Sequence, residues 1–257
     1  MTGYTLTYKH VSPAPIDGSV LRPDTLGALN RDELEKQTLR IGNTNVPLAE
    51  LFNISGSASE TLTITDPPLL DNVGAKMQAG NLIINGDVGD NLGASMRGGR
   101  IIVTGNAGNR VGGPSADEDR GMRGGEIQIA KNAGNEVGYL MRRGVIAVSG
   151  TCADRPGYRM LAGTIAIAKG ALQCPGLELQ RGTIVSFDPD AKHDLGERWA
   201  QDGIFDTQSL TAIGLVKRQL AALGWDIKSA ADAARFATYT GDRFELNKGE
   251  LWLATLA

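Results

Sequence analysis

NLIINGDVGDNLGASMRGG, residues Asn81–Gly99, places the apolar run Leu82 to Ile84 beside glycines at Gly86, Gly89, Gly93, Gly98 and Gly99. A glycine-rich turn after a strand suggests a phosphate loop, because free backbone N–H groups can surround an anion. The spacing Gly86-x-x-Gly89-x-x-x-Gly93 matches neither the dinucleotide fingerprint nor a loop closing on Gly-Lys-Ser/Thr. A phosphate loop also occurs once and opens a helix, whereas RIIVTGNAGNRVGG follows here at once. The stretch is one unit of a repeat.

With Asn81 in the first position, later units begin at Arg100, Glu126, Val145, Thr164 and Thr183. The step is nineteen residues, except that Arg100 to Glu126 is seven longer. The excess falls in GPSADEDR, Gly113 to Arg120, a polar insertion without a strand signal. A looser unit, LTITDPPLLDNVGAKMQAG, comes first, so the repeat runs from Thr61 to Phe187.

Positions two and four hold Leu82 and Ile84, Ile101 and Val103, Ile127 and Ile129, Ile146 and Val148, then Ile165 and Ile167. Such alternation marks a strand with one buried face. Position thirteen is Gly74, Gly93, Gly112, Gly138, Gly157 and Gly176; position sixteen is Met77, Met96, Met122, Met141, Met160 and Leu179. A column of long apolar side chains at constant spacing reads as core packing, with the adaptable thioether filling uneven gaps, and needs no cofactor. The glycines read as tight corners.

Nineteen residues are too few for a comfortable strand–helix–strand crossover, but they suffice for one coil of a stacked structure. The expected fold is mainly β: a right-handed parallel β-helix of about six to seven short coils, six of which would rise about 29 Å at the usual strand spacing. Its open ends need covers. The boundaries fall at 1–60, a mixed N-terminal cap; 61–187, the repeat; and 188–257, a helical extension with terminal strands. TGYTLTYK reads as an initial strand, with a short helix around Arg31 to Gln37. Asp206 or Ser209 would cap a helix through SLTAIGLVKRQLAALG, with Leu210, Ile213, Val216 and Leu220 on one face and Gly224 as its stop. SAADAARFATYTG would hold another helix before RFELNKGELWLATLA returns as a hairpin.

A formal charge of −3 argues against broad nucleic-acid binding. No basic-plus-apolar leader or long apolar span is visible, so a cytoplasmic protein without membrane contact is expected. Cys152 and Cys174 fall at different repeat positions and read as buried thiols rather than a redox pair. His10 and His193 lie in opposite flanks, too few for a histidine centre without a long-range meeting. Asp87, Asp90, Asp117, Glu118 and Asp119 fall in turns or the insertion, where exposure is expected. No catalytic residue and no metal ligand set is identified. The scaffold reading wins.

One polar column stands out. Position seventeen carries Arg97, Arg123 and Arg142, with Arg143 and Arg181 one place later in their units. Stacked coils would bring these like charges together, at a cost unless water, acids or a partner compensates. A solvated face, a partner surface and a track for a polyacidic ligand all stay open.

The registered GxxGxxxG units, the methionine column and the ending FATYTGDRFELNKGELWLA, with Tyr239, Gly241, Asp242, Lys248 and Gly249, resemble the C subunit of formylmethanofuran dehydrogenase. The repeat also resembles the C-terminal β-helix domain of glutamate synthase. Within the C-subunit family the chain is most similar to the bacterial formyltransferase/hydrolase complex, favoured by the helical stretch before the ending. The resemblance implies a noncatalytic subunit organising a hydrolase-like and a formyltransferase subunit. These partners would move a formyl group from formyl-tetrahydromethanopterin to methanofuran or an analogue and release formate, in one-carbon metabolism. It implies no cofactor held by this chain itself, with Arg97, Arg123 and Arg142 available to an acidic cofactor tail or a partner. The alternative is the equivalent subunit of a molybdenum or tungsten formylmethanofuran dehydrogenase.

Overall fold

The computed structural model describes residues 3–9, 15–206, 211–222 and 235–255. The chain is mainly β. In order, β1 (Tyr4–Tyr8), β2 (Ile16–Asp17), β3 (Thr38–Ile41), β4 (Thr44–Pro47) and β5 (Phe52–Ser55) precede the repeats, interleaved with the short helices α1 (Pro23–Leu26), α2 (Arg31–Glu35) and α3 (Leu48–Leu51). Next come β6 (Thr61–Thr65), β7 (Leu70–Asp71), β8 (Asn81–Asn85), β9 (Arg100–Val103), β10 (Arg123–Ile129), β11 (Arg143–Val148), β12 (Thr164–Ile167) and β13 (Gly182–Ser186). β14 (Ala200–Phe205), α4 (Thr211–Ala222), β15 (Arg235–Gly241) and β16 (Gly249–Thr255) follow.

Twelve strands form one sheet in the order β14-β15-β16-β13-β12-β11-β10-β9-β8-β6-β1-β5. From β1 to β16 by way of the repeats every pairing is parallel, and the register repeats. Leu62, Leu82, Ile101, Ile127, Ile146, Ile165, Ile184 and Leu251 stand in one row, each opposite the next. Period-two alternation locks this register, since a slip of one residue would turn each of these side chains to the other face. Each repeat also touches the next in its turn, through the bridges Val88–Ala107–Ala133–Cys152. Antiparallel strands close both ends, β5 on β1 and β14 on the β15–β16 hairpin. The ending therefore does more than return as a hairpin: β16 continues the parallel row beyond β13.

The inner face shows why glycine recurs. Met77, Met96, Met122, Met141 and Met160 are fully buried. Each methyl group lies where a side chain would stand on the glycine opening a later strand: a Cβ on Gly125 would meet Met96 Cε at 2.7 Å, and one on Gly144 would meet Met122 Cε at 2.7 Å. The other glycine column works similarly. Gly93 has φ +63°, and a Cβ there would come within 2.6 Å of Ile127 Cδ1. Left-handed backbone and the space beneath it both require glycine at that corner. Methionine and glycine are two halves of one packing device.

The outer face differs along its length. In β8 it is polar or half-exposed, with Asn81 and Asn85 outward. In β11 to β13 it is buried as well, because Ile213, Val216 and Leu220 of α4 pack with Val145, Ala147, Ala166 and Val185 and with Phe236 and Trp252 of the hairpin. The expected C-terminal helix is thus present over Thr211–Ala222. Ser209, Leu210 and Gly224, assigned to its cap, face and stop, lie outside the described residues. So does the first part of SAADAARFATYTG; its remainder, Arg235–Gly241, is strand rather than helix. β-branched and aromatic residues there, Phe236, Thr238, Tyr239 and Thr240, suit a pleated surface better than a helix. At the other end α2 is held by a capping box, the Asn30 side chain accepting from Glu33 N–H while Glu33 accepts from Asn30 N–H.

Of the carboxylates expected to be exposed, Asp87, Asp117 and Asp119 are, while Asp90 and Glu118 are half-buried; Asp87 and Asp90 also have a structural role. Asp90 Oδ1 accepts from Asn109 N–H at 2.7 Å, Asn109 Oδ1 from Asn135 N–H at 2.9 Å, and Asn135 Oδ1 from Asp154 N–H at 3.0 Å. A parallel ladder runs Asp87, Asn106, Asn132, Thr151. Each side chain satisfies a backbone donor in the next turn, tying successive repeats together at the surface. The amide of Asn106 holds the Asp87 carboxyl below its ordinary range.

Candidate functional site

Arg97, Arg123 and Arg142 occupy equivalent places, each one residue after the buried methionine of its turn. Their backbone N–H groups donate to the carbonyls of Met77, Met96 and Met122 at 2.8, 2.7 and 2.8 Å. Alternation then sends the arginine side chains outward on one face, as the repeat predicts. Arg143 joins them as the register partner of Arg123.

The insertion divides that face. Glu118, whose side chain is only 13% exposed, accepts from Arg97 Nη2 at 2.8 Å and also from Arg123 Nη2. Asp117 accepts from Lys76 Nζ at 2.5 Å and from Ser115 Oγ at 3.0 Å. The lysine bond, then the serine hydroxyl, keep the Asp117 carboxyl below the usual range. Buried Ser95 anchors the segment: its Oγ donates to the Arg120 carbonyl at 2.8 Å and accepts from Ser115 N–H at 2.9 Å. The seven extra residues therefore fold into a strap that lays acids across Lys76, Arg97 and Arg123. Among the described residues, Arg142, Arg143 and Arg181 have no carboxylate within ion-pairing distance; all three are exposed. The expected column is gathered on one face, with two of its members already engaged and the third free.

A second charged cluster was not anticipated. Glu136, nearly buried, accepts from Arg110 Nε at 2.8 Å and from Arg155 Nη2 at 2.9 Å. Tyr139 and Tyr158 stack with centroids 5.2 Å apart, Arg110 covers Tyr139, and Arg155 and Arg159 cover Tyr158. Glu178 completes the row by accepting from Arg159 Nε at 2.6 Å. Hydrogen bonds to Glu136 and Glu178 raise Arg110 and Arg159 respectively. The signal was present at position eleven, where Arg110, Glu136 and Arg155 alternate in sign through successive units. Side-by-side repeats turn such alternation into ion pairs.

The remaining titratable groups stay apart. Among the described residues no group of three or more His, Cys, Asp or Glu is placed to hold a metal ion. His193 Nδ1 accepts from Leu172 N–H at 3.0 Å, and burial lowers its affinity for a proton. His10 lies outside the described residues. Cys152 is buried, which pushes its thiol up to about 12, but Cys174 is exposed, contrary to the expectation of two buried thiols. Cys174 sits in the left-handed turn position, φ +46°, on the outside of its coil. At the far end Asp242 is fully buried and accepts from Arg198 Nη1 at 2.6 Å, Glu178 N–H at 3.0 Å and Phe244 N–H at 2.9 Å, fixing the turn between β15 and β16. That gives Asp242 of the FATYTGDRFELNKGELWLA ending a structural role.

No family model matches the chain. A stretch of 90 residues, 34% of this chain and 22% of the relative, is 35% identical to the C subunit of molybdenum-containing formylmethanofuran dehydrogenase 1 of Methanothermobacter marburgensis. The same identity and coverage hold for its counterpart in Methanothermobacter thermautotrophicus. The chain is similar to the C subunit of formylmethanofuran dehydrogenase. The matched region spans about a fifth of the length of these curated relatives. Among solved structures, a chain of the formyltransferase/hydrolase complex (FhcABCD) from Methylorubrum extorquens, in complex with methylofuran, superposes with a TM-score of 0.79. That similarity has 27% sequence identity and covers 97% of this chain and 98% of the other. No helix among the described residues is long and apolar enough to cross a membrane.

Proposed function

We propose that this chain is a noncatalytic, cytoplasmic scaffold subunit of a formyltransferase/hydrolase complex. It would hold together partners that pass a formyl group from formyl-tetrahydromethanopterin through formyl-methanofuran, or an analogue, to formate. The observation carrying this reading is end-to-end similarity to a chain of that complex, against a match to the archaeal dehydrogenase subunits that covers 34% of this chain. The fold would be a right-handed parallel β-helix over residues 61–187, between a 1–60 cap and a 188–257 extension. The parallel register and the second row of bridges support it.

Copurification of the tagged chain from its native host tests the assignment. Hydrolase-like and formyltransferase subunits without molybdenum or tungsten are the expected outcome; a metal-bearing redox subunit would assign the chain to a dehydrogenase instead. That second reading is favoured by the names of the curated relatives. The chain assayed alone should turn over neither formyl transfer nor formyl hydrolysis, and robust turnover after removal of partners would end the scaffold reading.

The arginine face would contact either an acidic partner segment or the acidic tail of a methanofuran-like cofactor. Glu118, which already bridges Arg97 and Arg123, supports the fit of carboxylates to this face. Changing Arg97, Arg123 and Arg142 together to glutamine should weaken retention of the cofactor most at low salt, where screening is least. Loss of assembly instead would assign the face to a partner protein, and no change in either would leave a solvated surface.

A further inference from the structure

A cavity of about 610 Å³ opens where the N-terminal segment, the first repeat and the insertion meet. Its size falls within the range typical of small-molecule sites, about 300–1,000 Å³. Val20, Leu26 and Leu29 supply apolar wall, and Val20 remains 37% exposed. No repeat unit could build this space alone, because it needs both the cap and the strap.

The charged groups lining it are unequally satisfied. Asp17 Oδ1 accepts from Ser19 N–H at 3.1 Å and from Asn72 Nδ2 at 3.2 Å. Asp117 is paired with Lys76. Arg22 is the exception. Its Nη1 reaches the carbonyls of Ala75 and Lys76 only at 3.4 and 3.5 Å. Asp24 pairs with it only at long range: Oδ1 lies 3.9 Å from Nε, and neither of these two buried atoms makes a hydrogen bond. A guanidinium carries five donors in a planar fork and cannot shed its charge, so donors left over beside an apolar wall favour an anion.

We propose that this cavity binds a small organic anion with an apolar, ring-sized body: the anionic group takes the Nη donors of Arg22, which make only long contacts to the Ala75 and Lys76 carbonyls, and the body rests on Val20 and Leu29. The insertion contributes the opposite wall through Ser115, Ala116 and Asp117. Charge-assisted bonds to a guanidinium supply orientation, while the apolar wall selects against inorganic ions of the same charge.

The aryl sulfonate 1-anilinonaphthalene-8-sulfonate is a suitable probe, titrated by fluorescence against the full chain. One saturable site per chain is expected. Arg22→Gln and, separately, Val20→Asp should each weaken it at least tenfold without altering the melting temperature, whereas Arg22→Lys keeps most of the affinity and Arg142→Gln keeps all of it. Val20→Asp alters a partly exposed side chain, so it tests the site independently of any rearrangement around Arg22. Titrations unchanged in both Arg22→Gln and Val20→Asp would overturn the proposal. So would a site present in the free chain and lost in the copurified complex, since a partner segment would then be the occupant.

Discussion

Position sixteen of the repeat points inward and position seventeen outward, and the two columns obey different rules. The methionines stack in a space whose size is set by the repeat itself, so each does the same job as its neighbour. The arginines hold equivalent repeat positions, yet Arg97 and Arg123 share Glu118 while Arg142 is free. Inside, the repeat is the environment. Outside, whatever crosses the surface decides, and one seven-residue insertion is enough to make equivalent positions unequal.

The largest effect should therefore come from the interior. Met122→Ala removes a fully buried side chain from the middle of the stack and should cost about 2–4 kcal/mol, measured by chemical denaturation. A loss below about 1 kcal/mol would mean that the coil collapses onto the gap and that the column is looser than its burial implies. Arg142→Gln should leave the same melt almost unchanged, because exposed charges without a partner contribute little.

The glycine corners sharpen the point. Gly93→Ala meets both a left-handed backbone and Ile127, while Gly42→Ala at φ +59° meets the backbone term alone, with no atom within 4 Å. Left-handed backbone costs an alanine roughly 1–2 kcal/mol, so both variants should lose that much. Gly93→Ala should lose more, and the difference between them measures crowding in the stack. Equal losses would show that the Ile127 side chain moves aside freely.

On the outer face, Glu118→Gln should cost about 1 kcal/mol: the carboxylate is largely buried, but the amide oxygen can still accept from one arginine and both arginines keep access to water. Its larger consequence should be electrostatic: with Arg97 and Arg123 no longer neutralised, a polyglutamate probe should bind more tightly at low salt. A variant that unfolds readily instead would make the strap a structural keystone.

The smallest effect concerns pH. Burial depresses the proton affinity of His193 in the fold, and Nδ1 is occupied by the Leu172 N–H bond. The folded state therefore binds fewer protons there than the unfolded one. Its stabilising contribution is complete above the unfolded value of about 6.5 and declines as pH falls through the lower folded value. His193→Asn, which can still accept from Leu172, should flatten the melting temperature below about pH 6.5. An unchanged slope would place the acid sensitivity in carboxylates.

Much of the architecture was legible because repetition multiplies a weak signal. A single LIIN beside a glycine says little; six registered copies identify the strand, its buried face, the corners and the inward methionines. Local patterning likewise placed a short helix near Arg31, found over Arg31–Glu35. The reading failed where meaning depends on the neighbour in space rather than in sequence. Arg235–Gly241 looked helical beside an alanine-rich run, yet it pairs between β14 and β16. Asp87 is exposed as expected and Asp90 half-buried, but the donors they satisfy in the next repeat were not foreseen.

Sequence by itself determined the period, the apolar row and the two faces, because backbone alternation and side-chain volume act within each unit. Tertiary structure alone decided which charges are neutralised, how the last strand joins the stack, and where a cavity opens. Those outcomes depend on segments far apart in the chain: Glu118 lies 21 residues from Arg97, and Asp117 lies 41 from Lys76. Coulomb forces and solvent exclusion act through space, so a pattern along the chain records which residues could meet and only the folded stack settles which ones do.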